Sequence, residues 1–148
     1  MATFRALSRE DGNLTSSLLN SRSKPYIDID LLFEAKPDNG DIYKKKDVAA
    51  VKQAIKTLLL TNKYERPFSP LFGSDITKYL FELAYDETED EIRDDIINAI
   101  EVHEPRAEVI DVLVNVLPDQ NSISVTVEFK VISTDEISSL TTTVSRLR

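Results

Sequence analysis

The chain has 148 residues, 41% hydrophobic and 30% charged, with 18 Lys plus Arg against 26 Asp plus Glu and a net charge of −8. That length suits one domain with a real core, and the apolar share is too high for a wholly disordered chain. With no cysteine and His103 the sole histidine, disulfides, thiolate catalysis, iron–sulfur clusters and clustered His or Cys metal sites are excluded. No cofactor and no metal are expected. No apolar run approaches the roughly 20 residues of a membrane helix, and the opening MATFRALSREDG lacks the apolar core of a signal peptide. The expectation is therefore no membrane partner, and synthesis in a reducing cytoplasm. The acidic balance argues against a nucleic-acid partner, which requires a concentrated positive face. Most of the negative charge falls in the middle: residues 47–107 carry 7 basic and 13 acidic groups.

Residues 1–24 read as a polar arm in which larger apolar residues such as Phe4, Leu14, Leu18 and Leu19 are sparse. Such a stretch buries too little to offset its ordering entropy. After Pro25, Tyr26-Ile27-Asp28-Ile29-Asp30 alternates at period two and runs on through Leu31, Leu32 and Phe33. The pattern predicts a short strand or extended segment. Lys36 to Lys46 reads as a loop around Pro37-Asp38-Asn39-Gly40-Asp41, ending in the basic run Lys44-Lys45-Lys46.

Asp47 is placed to cap a helix that carries Val48, Val51, Ile55, Leu58 and Leu59 at spacings of three and four. Lys52 and Lys56 take its wet face. Asn62 to Ser74 is a loop holding Pro67, Pro70 and Gly73, with Phe68 and Phe72 available to plug the core. Ser74 or Asp75 starts a second, short helix with Ile76, Tyr79, Leu80 and Leu83. A third begins at Asp86, paired with Glu89 as in a capping box, and places Ile92, Ile96, Ile100 and His103 on one stripe. Its acidic run from Asp86 to Asp95 reads as dipole compensation and a solvated face, not as a catalytic acid pair. Pro105 ends the helix.

The period then changes to two. Ile110, Val112, Val114 and Val116 face one way. After the turn Pro118-Asp119-Gln120-Asn121, Ile123, Val125, Val127, Phe129 and Val131 do the same. Residues 134–148 mix helical spacing (Ile137, Leu140, Val144, Leu147) with a strand-prone Thr141-Thr142-Thr143; a short terminal helix is the expectation. Two strands alone do not make a stable sheet, so either the Tyr26–Phe33 segment adds a third or a partner strand does. The expected fold is α+β, with about three helices on a small antiparallel sheet built around the C-terminal hairpin and an extended N-terminal arm.

Two stretches stand apart from ordinary packing: Glu65-Arg66-Pro67-Phe68-Ser69-Pro70-Leu71-Phe72-Gly73, and Glu104-Pro105-Arg106, where residues two apart project together from an extended segment. Without other information the second is a helix stop with a surface ion pair worth roughly 0–1 kcal/mol. Taken in order with Gly40-Asp41, Val51-Lys52-Gln53-Ala54-Ile55-Lys56, Leu58-Leu59-Leu60-Thr61 and Leu80-Phe81-Glu82, these stretches resemble the baseplate wedge and sheath-initiator proteins of contractile phage tails. The related baseplate subunit of type VI secretion systems shares the pattern. The resemblance spans residues 25–133, leaving the arm 1–24 and the tail 134–148 outside.

The resemblance implies a structural virion protein of the tail baseplate that acts by assembly and is not an enzyme. It would dock on the helical core bundle of neighbouring wedge proteins and template the first sheath ring by accepting sheath strands, with tail tube or hub as further neighbours. Glu104, Pro105 and Arg106 would hold the core bundle, and Arg66, Pro67 and Phe68 join them as partner-binding residues. Some relatives have been described as lysozymes, so a peptidoglycan-hydrolysing tail enzyme is the alternative. The motif set contains no dedicated acid pair.

Overall fold

The computed structural model describes residues 25–81 and 86–146, with the side chains of residues 86 and 87 outside the description. The predicted arm 1–24, Leu83, the last residues of the tail, and the Asp86 side of the predicted capping box lie outside the described residues. In chain order the elements are β1 (Ile27–Ile29), β2 (Lys44–Lys46), α1 (Asp47–Leu60), α2 (Ile76–Tyr79), α3 (Asp86–His103), β3 (Ala107–Leu117), β4 (Ser122–Val131) and β5 (Glu136–Ser145). The strands form two antiparallel sheets, a β1–β2 ribbon and a three-stranded sheet in the order β3-β4-β5. The α+β expectation holds.

The core lies between the inner face of the larger sheet and helices α1 and α3. Val51, Ile55, Leu58 and Leu59 of α1 and Ile92, Ile96 and Ile100 of α3 are buried, as their spacing predicts. They meet Val112, Val114, Ile123, Val125, Val127, Phe129 and Val131, the period-two set of the hairpin. β3 and β4 are joined by a 3-10 turn at Pro118–Gln120, closed by Asn121 in the left-handed region at φ 46°. Asparagine is among the few residues that adopt it readily.

Six expectations are corrected. The tail is strand, not helix: β5 pairs with all of β4, from Ser122↔Ser145 to Val131↔Glu136. Docking onto a preformed edge rewards the β-branched Thr141-Thr142-Thr143 more than a terminal helix could. β5, not Tyr26–Phe33, is therefore the third strand, and β1 pairs with β2 in its own ribbon. The predicted loop Lys36–Lys46 thus ends in a strand, and its basic run is β2.

Asp47 does not cap α1. Its φ is +45°, its backbone N–H donates to the Tyr26 carbonyl, and its Oδ1 accepts the Tyr26 N–H at 3.1 Å. Its carboxylate fastens the start of β1 instead.

Ile110 does not share the face of Val112. The register jumps from Val109↔Phe129 to Asp111↔Glu128, which leaves Ile110 as the extra residue of a bulge and exposed. Finally, the acidic face of α3 is not wholly solvated. Asp95 accepts the Tyr79 hydroxyl at 2.7 Å, and Glu89 Oε1 accepts the Val116 N–H at 3.1 Å.

Candidate functional site

The two unusual stretches meet in space. α3 ends at His103, because Pro105 pushes Glu104 out of the helical region. The chain turns at Pro105 and enters β3 at Ala107. Glu104 is only 5% exposed, so the pair it forms is not the surface ion pair expected from sequence. The Arg106 guanidinium grips it at both oxygens, with Nε to Oε1 at 2.6 Å and Nη2 to Oε2 at 2.8 Å. This forked geometry is the strongest form of the contact. Nη1 reaches Asp28 Oδ2 in β1 at 3.0 Å, and the guanidinium carbon lies 5.4 Å from the centre of the Tyr26 ring. The hydrogen bonds to Glu104 hold the Arg106 pKa far above its ordinary value. Burial works against that shift, and Asp28 adds to it.

Arg106 thus joins three separate pieces of chain: the end of α3, the start of β3 and the ribbon. A buried carboxylate without its cation is costly, so the clasp is held by mutual need. Asp28 stands 78 residues away from Arg106, and the sequence carries no signal of that partnership. Pro105 is exposed on the outside of the turn.

The loop between α1 and α2 is stiffened by its own backbone. Tyr64 N–H donates to the Pro70 carbonyl at 2.7 Å, and Ser69 N–H to that of Arg66 at 3.2 Å. Phe72 N–H donates to Ser69 at 3.1 Å, and Ser74 N–H to Thr61 at 2.9 Å. Gly73 makes the closure feasible. Its φ is +121°, and a Cβ there would collide with the Thr61 carbonyl.

The two aromatic rings separate. Phe72 packs against the core, with Arg66 stacked 3.9 Å from its ring centre on one side and the His103 ring 5.2 Å away. Phe68 is 101% exposed at the tip, so only one of the two rings predicted to plug the core does so. His103 Nε2 donates to the Leu71 carbonyl at 3.0 Å, which assigns the ring proton to that nitrogen because a carbonyl can only accept. A small open cavity of about 190 Å³ lies where the stretches converge, lined in part by Asp28, Leu31, Arg66, Phe72, His103 and Glu104.

Of the six sequence-predicted site residues, the structure brings two together directly at the cavity. Arg66 and Glu104 line the cavity. Arg106 fixes Glu104 from within, while Pro105, Pro67 and Phe68 face outward. Sequence reasoning missed Asp28, Tyr26 and Gln53. Gln53 Nε2 donates to the Ile29 carbonyl at 2.8 Å, and its Oε1 accepts the Leu31 N–H at 3.3 Å. A glutamine on an amphipathic helix carries no mark of such a task. Among the described residues no group of three or more His, Asp or Glu is placed to hold a metal ion.

Residues 45–136 match the family model of the baseplate wedge protein gp25. The chain belongs to that family. It is 34% identical over 113 residues to the baseplate wedge protein gp25 of Enterobacteria phage T4, covering 74% of this chain and 83% of the relative. A chain of the anti-feeding prophage baseplate has the same fold, at TM-score 0.59 and 22% identity over 82% of this chain and 86% of its own. So does a chain of the type VI secretion baseplate complex, at TM-score 0.56 and 15% identity over 66% and 93%. A Geobacter sulfurreducens protein described as a tail lysozyme matches at TM-score 0.59 and 23% identity, over 66% and 89%. At such identities the structural matches establish the gp25-like fold alone. The gp25 membership makes this chain a baseplate wedge protein of contractile tails, a structural virion component.

Proposed function

We propose that this wedge protein docks on the helical core bundle of its wedge neighbours through the surface where the two stretches meet, and that its sheet receives strands of the first sheath ring. The observation that carries the docking reading is the exposed Phe68, held on a self-bonded loop beside the Glu104–Arg106 clasp. A preorganised aromatic at the tip of a stiff loop loses little entropy on burial in a partner pocket, as an anchor residue must. In this reading the clasp sets the shape of the surface, and Arg66, Pro67, Phe68 and Pro105 make the contacts. The protein acts by being held in place, without catalysis, in the virion baseplate after synthesis in the host cytoplasm.

Wall hydrolysis is the competing reading, because one protein of the same fold is described as a tail lysozyme. A glycosidase acid needs a carboxyl whose proton is available to the leaving oxygen. The buried Glu104 offers both oxygens to Arg106, so its carboxylate is an acceptor. Purified protein is expected to release nothing from peptidoglycan above buffer. Turnover abolished by one carboxylate change would favour the enzyme.

The docking test is Phe68→Ala with Arg66→Ala. Both side chains are exposed, so the melting temperature is expected to stay close to wild type. Incorporation into baseplates, counted by electron microscopy, is expected to fall by about tenfold or more, as loss of a hot-spot aromatic does. Normal baseplates from the double variant would overturn the docking role.

A further inference from the structure

The positive charge of this acidic chain is concentrated in one place. Residues 44–56 hold five lysines, Lys44, Lys45, Lys46, Lys52 and Lys56, against the single acid Asp47, a local net of +4 in a chain of −8. The Asp47 carboxylate is turned to the Tyr26 N–H. Lys45 is paired with Asp30 at 3.2 Å, while among the described residues Lys44, Lys46 and Lys56 are in no ion pair. Lys44 and Lys46 lie just before the first turn of α1, where the helix dipole disfavours cations, and Lys52 and Lys56 repel one another four residues apart on the helix. Cations kept where the fold is destabilised by them point outward, to carboxylates on another molecule.

Next to these lysines the chain holds apolar side chains in water. Between Ile29 and the bridge Ala35↔Ile42 it leaves the ribbon in a short excursion built by Asp30. The Asp30 Oδ1 accepts the Leu32 N–H at 3.1 Å, and its carbonyl accepts the Phe33 N–H at 3.2 Å. Phe33 takes φ +53°, a left-handed backbone that a bulky residue seldom adopts. Leu31, Leu32 and Phe33 are exposed as a result, Leu32 at 71%. Strain that keeps apolar side chains in solvent marks a segment shaped for contact.

The two features meet in a second open cavity, of about 220 Å³. Leu31 and Leu32 line one side and Leu60, the last residue of α1, the other, with Lys45 and Lys56 beside them. Leu31 and Gln53 also line the first cavity, so they form a wall between the two. Arg66 and Phe68 do not line this second groove. Its leucines suit a large apolar side chain, and its lysines suit carboxylates on either side of that side chain.

Other occupants fit less well. Residues 1–24 carry Arg5, Arg9, Arg22 and Lys24 against Glu10 and Asp11, a net of +2 that the lysines repel. A second copy offers the acidic helix α3, but the exposed large apolar residue of that helix among the described ones is Val102, about three turns from Glu91. Leucine walls give a nucleic-acid base no ring to stack on.

We propose that the groove between Leu31–Leu32 and Leu60, flanked by Lys45 and Lys56, is a second docking surface that takes an acidic segment of another protein, with a large apolar side chain seated between the leucines. It is separate from the surface around Arg66 and Phe68, so either outcome below leaves that docking reading to its own test.

The first test uses the full chain and a six-residue peptide with blocked ends, Glu-Asp-Leu-Phe-Asp-Glu, followed by leucine-methyl NMR. Saturable shifts are expected at Leu31, Leu32 and Leu60. A version with lysine for each acid is expected to bind at least tenfold more weakly. Lys56→Glu is expected to weaken the acidic peptide by about tenfold and Leu32→Ser by about fivefold, and both exposed changes to leave the melting temperature unmoved. No shift at these methyls with millimolar peptide, equal binding of the two peptides, or unchanged binding by Lys56→Glu would overturn the proposal. So would a single-stranded DNA oligonucleotide or phosphatidylglycerol vesicles that shift the same methyls more strongly than the peptide.

The second test places a photo-crosslinker in assembled tails through Leu32→p-benzoylphenylalanine, with the captured peptide sequenced by mass spectrometry. A segment of another tail protein, with Asp or Glu around a leucine or an aromatic residue, is the expected product. Capture of residues 1–24, of a second copy or of a basic segment, or no capture at all, would count against it.

Discussion

The three-stranded sheet and the β1–β2 ribbon are both antiparallel, yet different forces hold them. Every inward side chain of β4 from Ile123 to Val131 is buried against α1 and α3. In the ribbon segment, Ile27, Ile29, Leu31, Leu32 and Phe33 all remain largely exposed. The ribbon stays in place through directional contacts: Arg106 to Asp28, Gln53 to the backbone of Ile29 and Leu31, and Asp47 to the backbone of Tyr26. Apolar burial is non-directional and scales with area, so it secures the sheet as one unit. Hydrogen bonds and ion pairs contribute less each, but they fix position. Through Asp28 the Glu104–Arg106 clasp therefore ties this lightly buried ribbon to the end of α3 and the start of β3.

That contrast can be broken at either end. Phe129 is fully buried, and Phe129→Ala is expected to destabilise the whole fold by about 3–5 kcal/mol, read as a lower denaturant midpoint. Arg106→Ala is expected to cost about 2–3 kcal/mol, less than a fully buried pair because Arg106 keeps 24% of its side chain in solvent. Its larger signature is local: ribbon amides such as Asp30 are expected to exchange faster while those of β4 do not. Equal acceleration in both regions would show that the ribbon is part of the cooperative core.

Gln53→Ala removes two exposed bonds that water can replace. It is expected to cost about 0.5–1 kcal/mol and to loosen the ribbon without moving the melting temperature by more than a few degrees.

The smallest effect is a pH dependence. Lys63 is held above its ordinary pKa chiefly by its hydrogen bond to Asp75, at 2.9 Å. A raised cation contributes stability that is fully present below its unfolded value of 10.5 and is lost as pH rises through the higher folded value. Against Lys63→Met, wild type is expected to keep an advantage of a few tenths of a kcal/mol at pH 7 and lose it above that range, in paired thermal melts. A gap that persists unchanged above that range would mean the tie at the loop base is not ionic.

Much of the core was legible because its signals are local. The stripe Ile92, Ile96, Ile100 and the alternation Ile123 to Val131 each report a face from spacing alone. The Glu104-Pro105-Arg106 turn was legible for the same reason, since proline dictates the break and residues two apart share a side. The Ile110 bulge escaped because β3 alone alternates smoothly, and the extra residue exists only relative to β4. Phe68 and Phe72 look alike as residues, and only the folded loop sends one inward and the other out.

From the sequence alone follow an acidic, cysteine-free α+β chain, the helical and hairpin faces of its core, and the two stretches that carry its family likeness. These depend on composition and on periods within one element. The tertiary structure decided that Asp28 is Arg106's second carboxylate partner, that Glu104 is buried, and that the tail is a strand that completes the sheet. Each depends on groups distant in sequence meeting in space. Pairing of that kind is set by packing and register, which no local pattern encodes.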